Sequence, residues 1–313
     1  MRSIPLQETL SNDWGRRMVR LRRRWRVGAG DLRNEISWHI LGGRRFFESY
    51  WQVLAGSHRW VFIIGCNNSG TSLLQRLLEW TGSVSTFPAE GQLFTRAMKR
   101  DRKRGYARVW SEYLEELQLN GTDPLCKAPR LVHDWMINLP RPIRPVIVEK
   151  TPANAARAEW LQRVFPNACF IGLVRNGYAV SEGIRRKAKQ PLDSGARHWS
   201  AVNRLMLNTA GGLDNYLEVR YEELAEQPAA TMLRICEFIG IDNAVLKGLR
   251  GKGEAEVREA MTTVFGPVRN CNPETIERLS NTDISIIRDH AEEMLDFFGY
   301  TPFVMTQGLR RRA

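Results

Sequence analysis

The sequence predicts an α/β fold in three layers, with a central parallel sheet flanked by helices. Three observations lead there. Strand-like and helix-like segments alternate along most of the chain. The strand-like segments are unbroken apolar runs, such as Trp60-Val61-Phe62-Ile63-Ile64, which suits strands buried on both faces rather than one. With 313 residues, 43% of them hydrophobic, the chain has ample material for such a core.

In chain order, residues 1–58 read as a basic N-terminal arm and a helical segment. Residues 14–27 hold seven arginines and no acid, and Trp14, Met18, Leu21 and Trp25 would share one helical face. Such an arm either packs its apolar stripe on the domain or meets an anionic membrane or polyanion. An amphipathic segment follows over about 31–55. The first buried strand is 60–65, with a helix over 71–80. Residues 92–119 read as mostly helical. A second strand at 146–149 leads to a helix over 153–165 that stops at Pro166. Then come a strand at 168–174, helices at 178–189 and 194–210, and a strand at 216–220. A helix over 222–239 ends at Gly240, and a last helix spans 283–298. The expected domain is 59–304, with a basic tail at 305–313.

Charge and composition narrow the function. The net charge of +12 calls for an anionic partner. No zinc-finger or RNP signature is present, so nucleic acid is not the expected one. Five scattered cysteines without a C-x-x-C fit a reducing compartment, and no cluster of metal ligands stands out. The apolar runs are too short to span a bilayer and the first 30 residues lack a secretory h-region. The expected location is cytoplasmic, with peripheral membrane attachment through the arm left open.

Parallel sheets bind ligands at the carboxyl ends of their strands, which directs attention to 65–72, 149–152, 175–183 and 220–223. The first of these reads Gly65-Cys66-Asn67-Asn68-Ser69-Gly70-Thr71-Ser72. A glycine-bounded loop between strand and helix aims backbone N–H groups at a phosphate. The two glycines have the spacing of a Walker A loop, but Thr71 stands where that loop needs its lysine. ATP or GTP hydrolysis is therefore disfavoured and a ligand with a smaller 5′ anion favoured. A nucleotide kinase of P-loop type stays an alternative at this level.

The loop resembles the 5′-phosphosulfate loop of the sulfotransferases that use 3′-phosphoadenosine 5′-phosphosulfate (PAPS). Three further motifs agree in order: Glu149-Lys150-Thr151-Pro152; Phe165-Pro166-Asn167-Ala168 with Phe170 through Arg175-Asn176-Gly177; and Val219-Arg220-Tyr221-Glu222-Glu223-Leu224 with Pro228 and Gly240. Gly299-Tyr300 fits the closing element. The resemblance spans roughly residues 60–301 and is closest to a bacterial branch similar to tyrosylprotein and carbohydrate sulfotransferases. It implies a P-loop-like fold and transfer of a sulfonate group from PAPS to a hydroxyl acceptor by in-line displacement. The product left behind is adenosine 3′,5′-bisphosphate, and the reaction needs no metal.

The same resemblance assigns roles. Glu90, in Pro88-Ala89-Glu90-Gly91, is the expected base for the acceptor hydroxyl, and Lys150 the cation for the moving sulfonate. Asn67, Asn68, Ser69, Gly70, Thr71 and Ser72 would hold the 5′ end, and Arg175 the 3′-phosphate. Tyr221 falls near the adenine, and Arg269 matches the late basic loop only loosely. The chain departs from the family twice. Asn68 stands where many members carry Lys or Arg, and Gly183 where a 3′-phosphate serine is usual. Ser181 lies two residues short of it, whereas backbone at Gly183 or the cations Arg186 and Lys187 would complete the site. These departures motivate one more alternative, a degenerate module that binds an acidic polymer. His133 and His198 fall in no matching motif and are expected to be packed residues. The expected acceptor is a hydroxyl of a glycan, peptide, lipid or small metabolite.

Overall fold

The apolar runs become the strands of one sheet in the computed structural model, which describes residue 28 and residues 30–101, 106, 108–241, 256 and 268–300. The strands are β1 (Arg59–Gly65), β2 (Val84–Thr86), β3 (Val146–Lys150), β4 (Cys169–Val174) and β5 (Tyr216–Arg220). Their order is β2-β3-β1-β4-β5, and every neighbouring pair is parallel. The principal helices are α1 (Gly43–Gly56), α2 (Thr71–Trp80), α3 (Ala128–Asn138), α4 (Ala158–Val164), α5 (Gly177–Ala188), α6 (Leu192–Ala210), α7 (Pro228–Phe238) and α8 (Asn281–Phe297).

Side chains alternate along β1, so its continuous apolar run serves two cores. Trp60, Phe62 and Ile64 face a layer containing Trp135 of α3 and Phe165 after α4. Trp60 lies 4.3 Å from Phe165 and 5.4 Å from Trp135 between ring centroids, and Phe62 stacks on Phe170 at 5.2 Å. Val61 and Ile63 face the other layer, with Leu74, Leu77 and Leu78 of α2 and Ile235 of α7. Each large apolar side chain so buried contributes about 1.5–3 kcal/mol relative to exposure. The two cores explain why the sheet is buried on both sides.

Several expectations need correction. Residues 92–119 are not mostly helical: among those described, only the 3₁₀ turns Gly91–Phe94 and Trp110–Tyr113 and the short helix Leu114–Leu117 form. Side chains meet the backbone there instead. Fully buried Arg157 donates to the carbonyls of Leu117 (3.0 Å) and Lys99 (2.7 Å), and Gln92 exchanges hydrogen bonds with Asp101. The helix expected over 153–165 opens as a 3₁₀ segment, Pro152–Arg157, before α4. The helix expected over 222–239 is two, Tyr221–Glu226 and α7, because Pro228 has no N–H to continue the first. Strand β2 has three residues, too few for a periodic signal. The arginine-rich segment 14–27 and the tail 305–313 lie outside the described residues.

The register fixes the site. Ile63 pairs with Lys150 and Gly65 with Leu173, so the loop after β1 is flanked by Lys150 on one side and Arg175 on the other. Strand β2 lies beyond β3, and the chain leaving it carries Glu90 back towards Lys150.

Candidate active site

The loop between β1 and α2 makes a tight turn. Asn68 has φ 69° and Gly70 φ 99°, both left-handed. Glycine is required at position 70, because a Cβ there would also sit 2.7 Å from Cδ2 of Tyr221. Helix α2 begins at Thr71, so its first N–H groups have no intrahelical acceptor and open onto the loop. Three buried polar atoms of the loop lack a partner among the described residues: Asn67 Oδ1, Asn68 Nδ2 and Ser69 Oγ. Buried groups of this kind are costly unless a ligand or water meets them. Asn68 Nδ2 and Ser69 Oγ are donors, as an oxyanion requires.

Arg175 follows β4 and bridges the loop to the C-terminal segment. Its Nη1 donates to the Asn68 carbonyl at 2.9 Å and its Nε to Asn272 Oδ1 at 2.7 Å. The guanidinium lies 4.1 Å from the ring centroid of Tyr221, which adds a cation–π contact. Asn272 also donates to Glu222, and Glu222 accepts from Tyr300 and from the Asn176 N–H. Nη2 of Arg175 makes no hydrogen bond among the described residues. Beside it opens a cavity of about 290 Å³, lined in part by Asn68, Arg175, Gly183, Arg186, Lys187 and Tyr221. The thickest cationic lining is on α5. There Lys187 is held below the ordinary lysine range, first by burial and then by the positive Arg108, Arg186 and Arg175.

On the other side of the loop, Glu90 and Lys150 meet directly. Lys150 Nζ lies 3.2 Å from Glu90 Oε1, with 10% and 13% of the two side chains exposed. Glu90 is held on three sides. Gln92 Nε2 donates to its second oxygen at 3.1 Å, and the next peptide is clamped through Gly91. The Gly91 N–H donates to Glu149 Oε1 at 2.7 Å, while Trp135 Nε1 donates to the Gly91 carbonyl at 3.0 Å. A Cβ at position 91 would lie 2.8 Å from Glu149 Oε1, so only glycine allows this approach. Glu149 is fully buried, and burial pushes its carboxyl up to about 7 against the opposing effect of its hydrogen bonds from Thr151 and Gly91.

Most of the residues singled out from the sequence therefore converge: 67–72, Arg175, Gly183 and Tyr221 at one end, Glu90 and Lys150 at the other. Arg269 does not. Its exposed side chain pairs with Glu274, and only its backbone carbonyl reaches the site, accepting from the Tyr221 hydroxyl at 3.1 Å. Ser181 turns away, bonding to the Gly177 carbonyl at 2.8 Å. His198 is fully buried against Trp110, and burial pushes it down to about 3. His133 is held between Asp134 and Ser37. Sequence reasoning missed Glu149 as more than a neighbour of Lys150, although it stands in the same four-residue motif. It also missed Gln92, Asn272 and Arg108, which no local pattern marks. Arg108 Nη1 donates to Asn68 Oδ1 at 2.7 Å.

A parallel sheet with a lysine-free glycine loop, a strand-end arginine beside a basic cavity and a buried Glu–Lys pair suits an anionic ligand at this edge of the sheet. Residues 61–244, more than half of the chain, match the family described as the sulfotransferase family. The chain belongs to that family, whose members transfer a sulfonate group. A curated relative is protein-tyrosine sulfotransferase A of Caenorhabditis elegans, 26% identical over 261 residues, covering 77% of this chain and 67% of that protein. Among solved structures, sulfotransferase STF9 from Mycobacterium avium is 14% identical, with 82% of this chain and 81% of that one covered at a TM-score of 0.49. The sulfotransferase domain from the Synechococcus PCC 7002 olefin synthase is 20% identical, with 75% and 94% covered at a TM-score of 0.46.

Proposed function

We propose that the donor is PAPS, bound with its 5′ end on residues 67–72 and its 3′-phosphate at Arg175, and that Glu90 is the base for a hydroxyl acceptor. The observation that carries this reading is the set of buried donors left unpartnered in the loop beside the basic cavity. When bound, PAPS supplies the sulfonate: the acceptor oxygen bonds to sulfur as the bond from sulfur to the 5′-phosphate oxygen breaks, and that oxygen keeps the electron pair.

This chain's own residues do the rest. Ser69 Oγ, Asn68 Nδ2 and the first N–H groups of α2 are the donors for the 5′ anion. Nη2 of Arg175, with Lys187 nearby, is aimed at the 3′-phosphate, and the tight packing of Tyr221 against Gly70 holds both ends of the site in register. Glu90 takes the acceptor proton, and Lys150, already 3.2 Å away, keeps the carboxylate in place. Charge on oxygens is stabilised most where the donors are fixed in advance, which is what this hydrogen-bonded frame provides.

Residues 59–304 form the proposed catalytic domain, and the arginine-rich arm is a proposed contact for an anionic membrane or polyanion. No helix of the described residues is long and apolar enough to cross a membrane. The acceptor is a hydroxyl of a glycan, peptide, lipid or small metabolite. The test is transfer of label from [³⁵S]PAPS to a panel of these acceptors. Label moving to at least one class, and not moving with Glu90→Gln, is expected; label transfer unchanged by Glu90→Gln removes Glu90 from the role.

A further inference from the structure

The two places where the chain departs from its family lie side by side. A Cβ added at Gly183 would stand 3.6 Å from the side-chain amide of Asn68. Both departures remove something an anion would use, a positive charge at 68 and a hydroxyl at 183. Lys150 does not make up the deficit by itself, because its ammonium is already paired with Glu90 at 3.2 Å. As an ion pair, the two groups bring almost no net charge to the sulfonate end of the site.

A third residue enters this gap from outside the family motifs. Arg108 reaches from 40 residues along the chain and donates from Nη1 to Asn68 Oδ1 at 2.7 Å. The missing side chain at Gly183 leaves the Asn68 amide, on which Arg108 rests, uncrowded on that side. Glu182 pairs with Arg186 at 3.1 Å and Arg278 at 3.8 Å, and Glu274 pairs with Arg269. Arg108, Arg186 and Arg175 all act to lower Lys187, so the edge of the loop where Arg108 meets Asn68 is cationic. Arg108 also holds φ 66°, a conformation costly for a residue with a Cβ.

We propose that Arg108 is a catalytic residue supplying, from a distant segment, the positive charge at the 5′-phosphosulfate that the loop itself lacks at Asn68. Its hydrogen bond to Asn68 aims the guanidinium, so the neutral asparagine serves as the bracket and the arginine as the charge. The inference rests on the PAPS reading given above. It also predicts that the enzyme is not a degenerate module, since the lost charge is replaced rather than abandoned.

The test is calorimetry on the full chain with adenosine 3′,5′-bisphosphate and with adenosine 5′-monophosphate, using Arg108→Gln, Arg108→Lys and the double variant Arg108→Gln/Asn68→Lys. Glutamine removes the charge and leaves a neutral, shorter amide donor at this position. Arg108→Gln should weaken both ligands by roughly 10–100-fold, the range of one charged hydrogen bond. Arg108→Lys should retain most of the affinity, and Asn68→Lys should restore it in the double variant by returning a cation to the loop. Wild-type affinity in Arg108→Gln, or a double variant no tighter than Arg108→Gln, overturns the proposal while leaving the PAPS reading in place. A loss seen with the bisphosphate alone moves Arg108 to the 3′-phosphate and equally overturns it. Absence of bisphosphate binding by the wild type overturns the PAPS reading and the proposal together.

Discussion

Replacing Glu149 by glutamine should change the pH dependence of folding more than folding itself. The carboxyl is fully buried and receives hydrogen bonds from the Gly91 N–H, Thr151 Oγ1 and Asn154 Nδ2. Burial nevertheless dominates and raises it from its ordinary value of 4.5 to about 7. The sign follows from which state holds the proton. Below pH 4.5 the group is protonated whether the chain is folded or not. Between pH 4.5 and about 7 the unfolded chain releases the proton while the folded chain keeps it, so wild-type stability falls with rising pH. Above about 7 both states are ionised and the slope vanishes. The gap corresponds to a loss of roughly 2–3 kcal/mol on going from pH 5 to pH 8. Glutamine is isosteric and does not titrate, so the variant lacks this component. Urea unfolding of both proteins at pH 5, 6, 7 and 8 isolates it, because the other titrating groups are common to both. The stability of Glu149→Gln relative to wild type should rise by that amount across the series. Parallel stability curves would show that Glu149 ionises as it does in water and would refute the reasoning.

Three further outcomes follow from the same geometry. Glu90→Gln keeps the size and the contact with Gln92 but loses basicity, so kcat should fall by about 10²–10⁴-fold with little change in affinity for adenosine 3′,5′-bisphosphate, measured by steady-state kinetics and calorimetry. Gly91→Ala forces a Cβ against Glu149 Oε1, and loss of the 2.7 Å hydrogen bond from the residue 91 N–H should destabilise the fold by about 1–3 kcal/mol in urea titrations and lower kcat by displacing Glu90. Gly70→Ala combines a left-handed φ with contact against Tyr221, so bisphosphate affinity should drop by more than tenfold in calorimetry while circular dichroism shows a folded chain.

The sheet and the ligand edge were legible because they are written in local pattern. Four of the five strands were read from strand-like segments, and the glycine-bounded loop with its strand-end partners, Lys150 and Arg175, marked both ends of the candidate site. The rest depends on contacts distant in sequence. Residues 92–119 carry apolar spacing that suits a helix, yet Arg157, Gln92 and Asp101 satisfy their backbone and side chains in another conformation. In the sequence Glu149 is marked only as the residue before Lys150 in its motif, and only the closure of the Gly91 peptide onto it reveals a buried carboxyl. Arg108 sits in a stretch dense with cations, where nothing local distinguishes it from residues that face solvent. Arg269 shows the converse, since its motif context pointed inward while its side chain turns to Glu274.

The most direct test of the whole reading is calorimetric titration of adenosine 3′,5′-bisphosphate, adenosine 5′-monophosphate and ATP–Mg into wild type and Arg175→Ala. The bisphosphate should bind most tightly to the wild type, and Arg175→Ala should weaken it by about 10–100-fold, the loss of a charged hydrogen bond to the 3′-phosphate. The monophosphate, which has no 3′ group, should be affected far less. Equal affinity for the bisphosphate in both proteins, or tighter binding of ATP–Mg than of the bisphosphate, would contradict the assignment of the cavity beside Arg175 to the 3′-phosphate of PAPS.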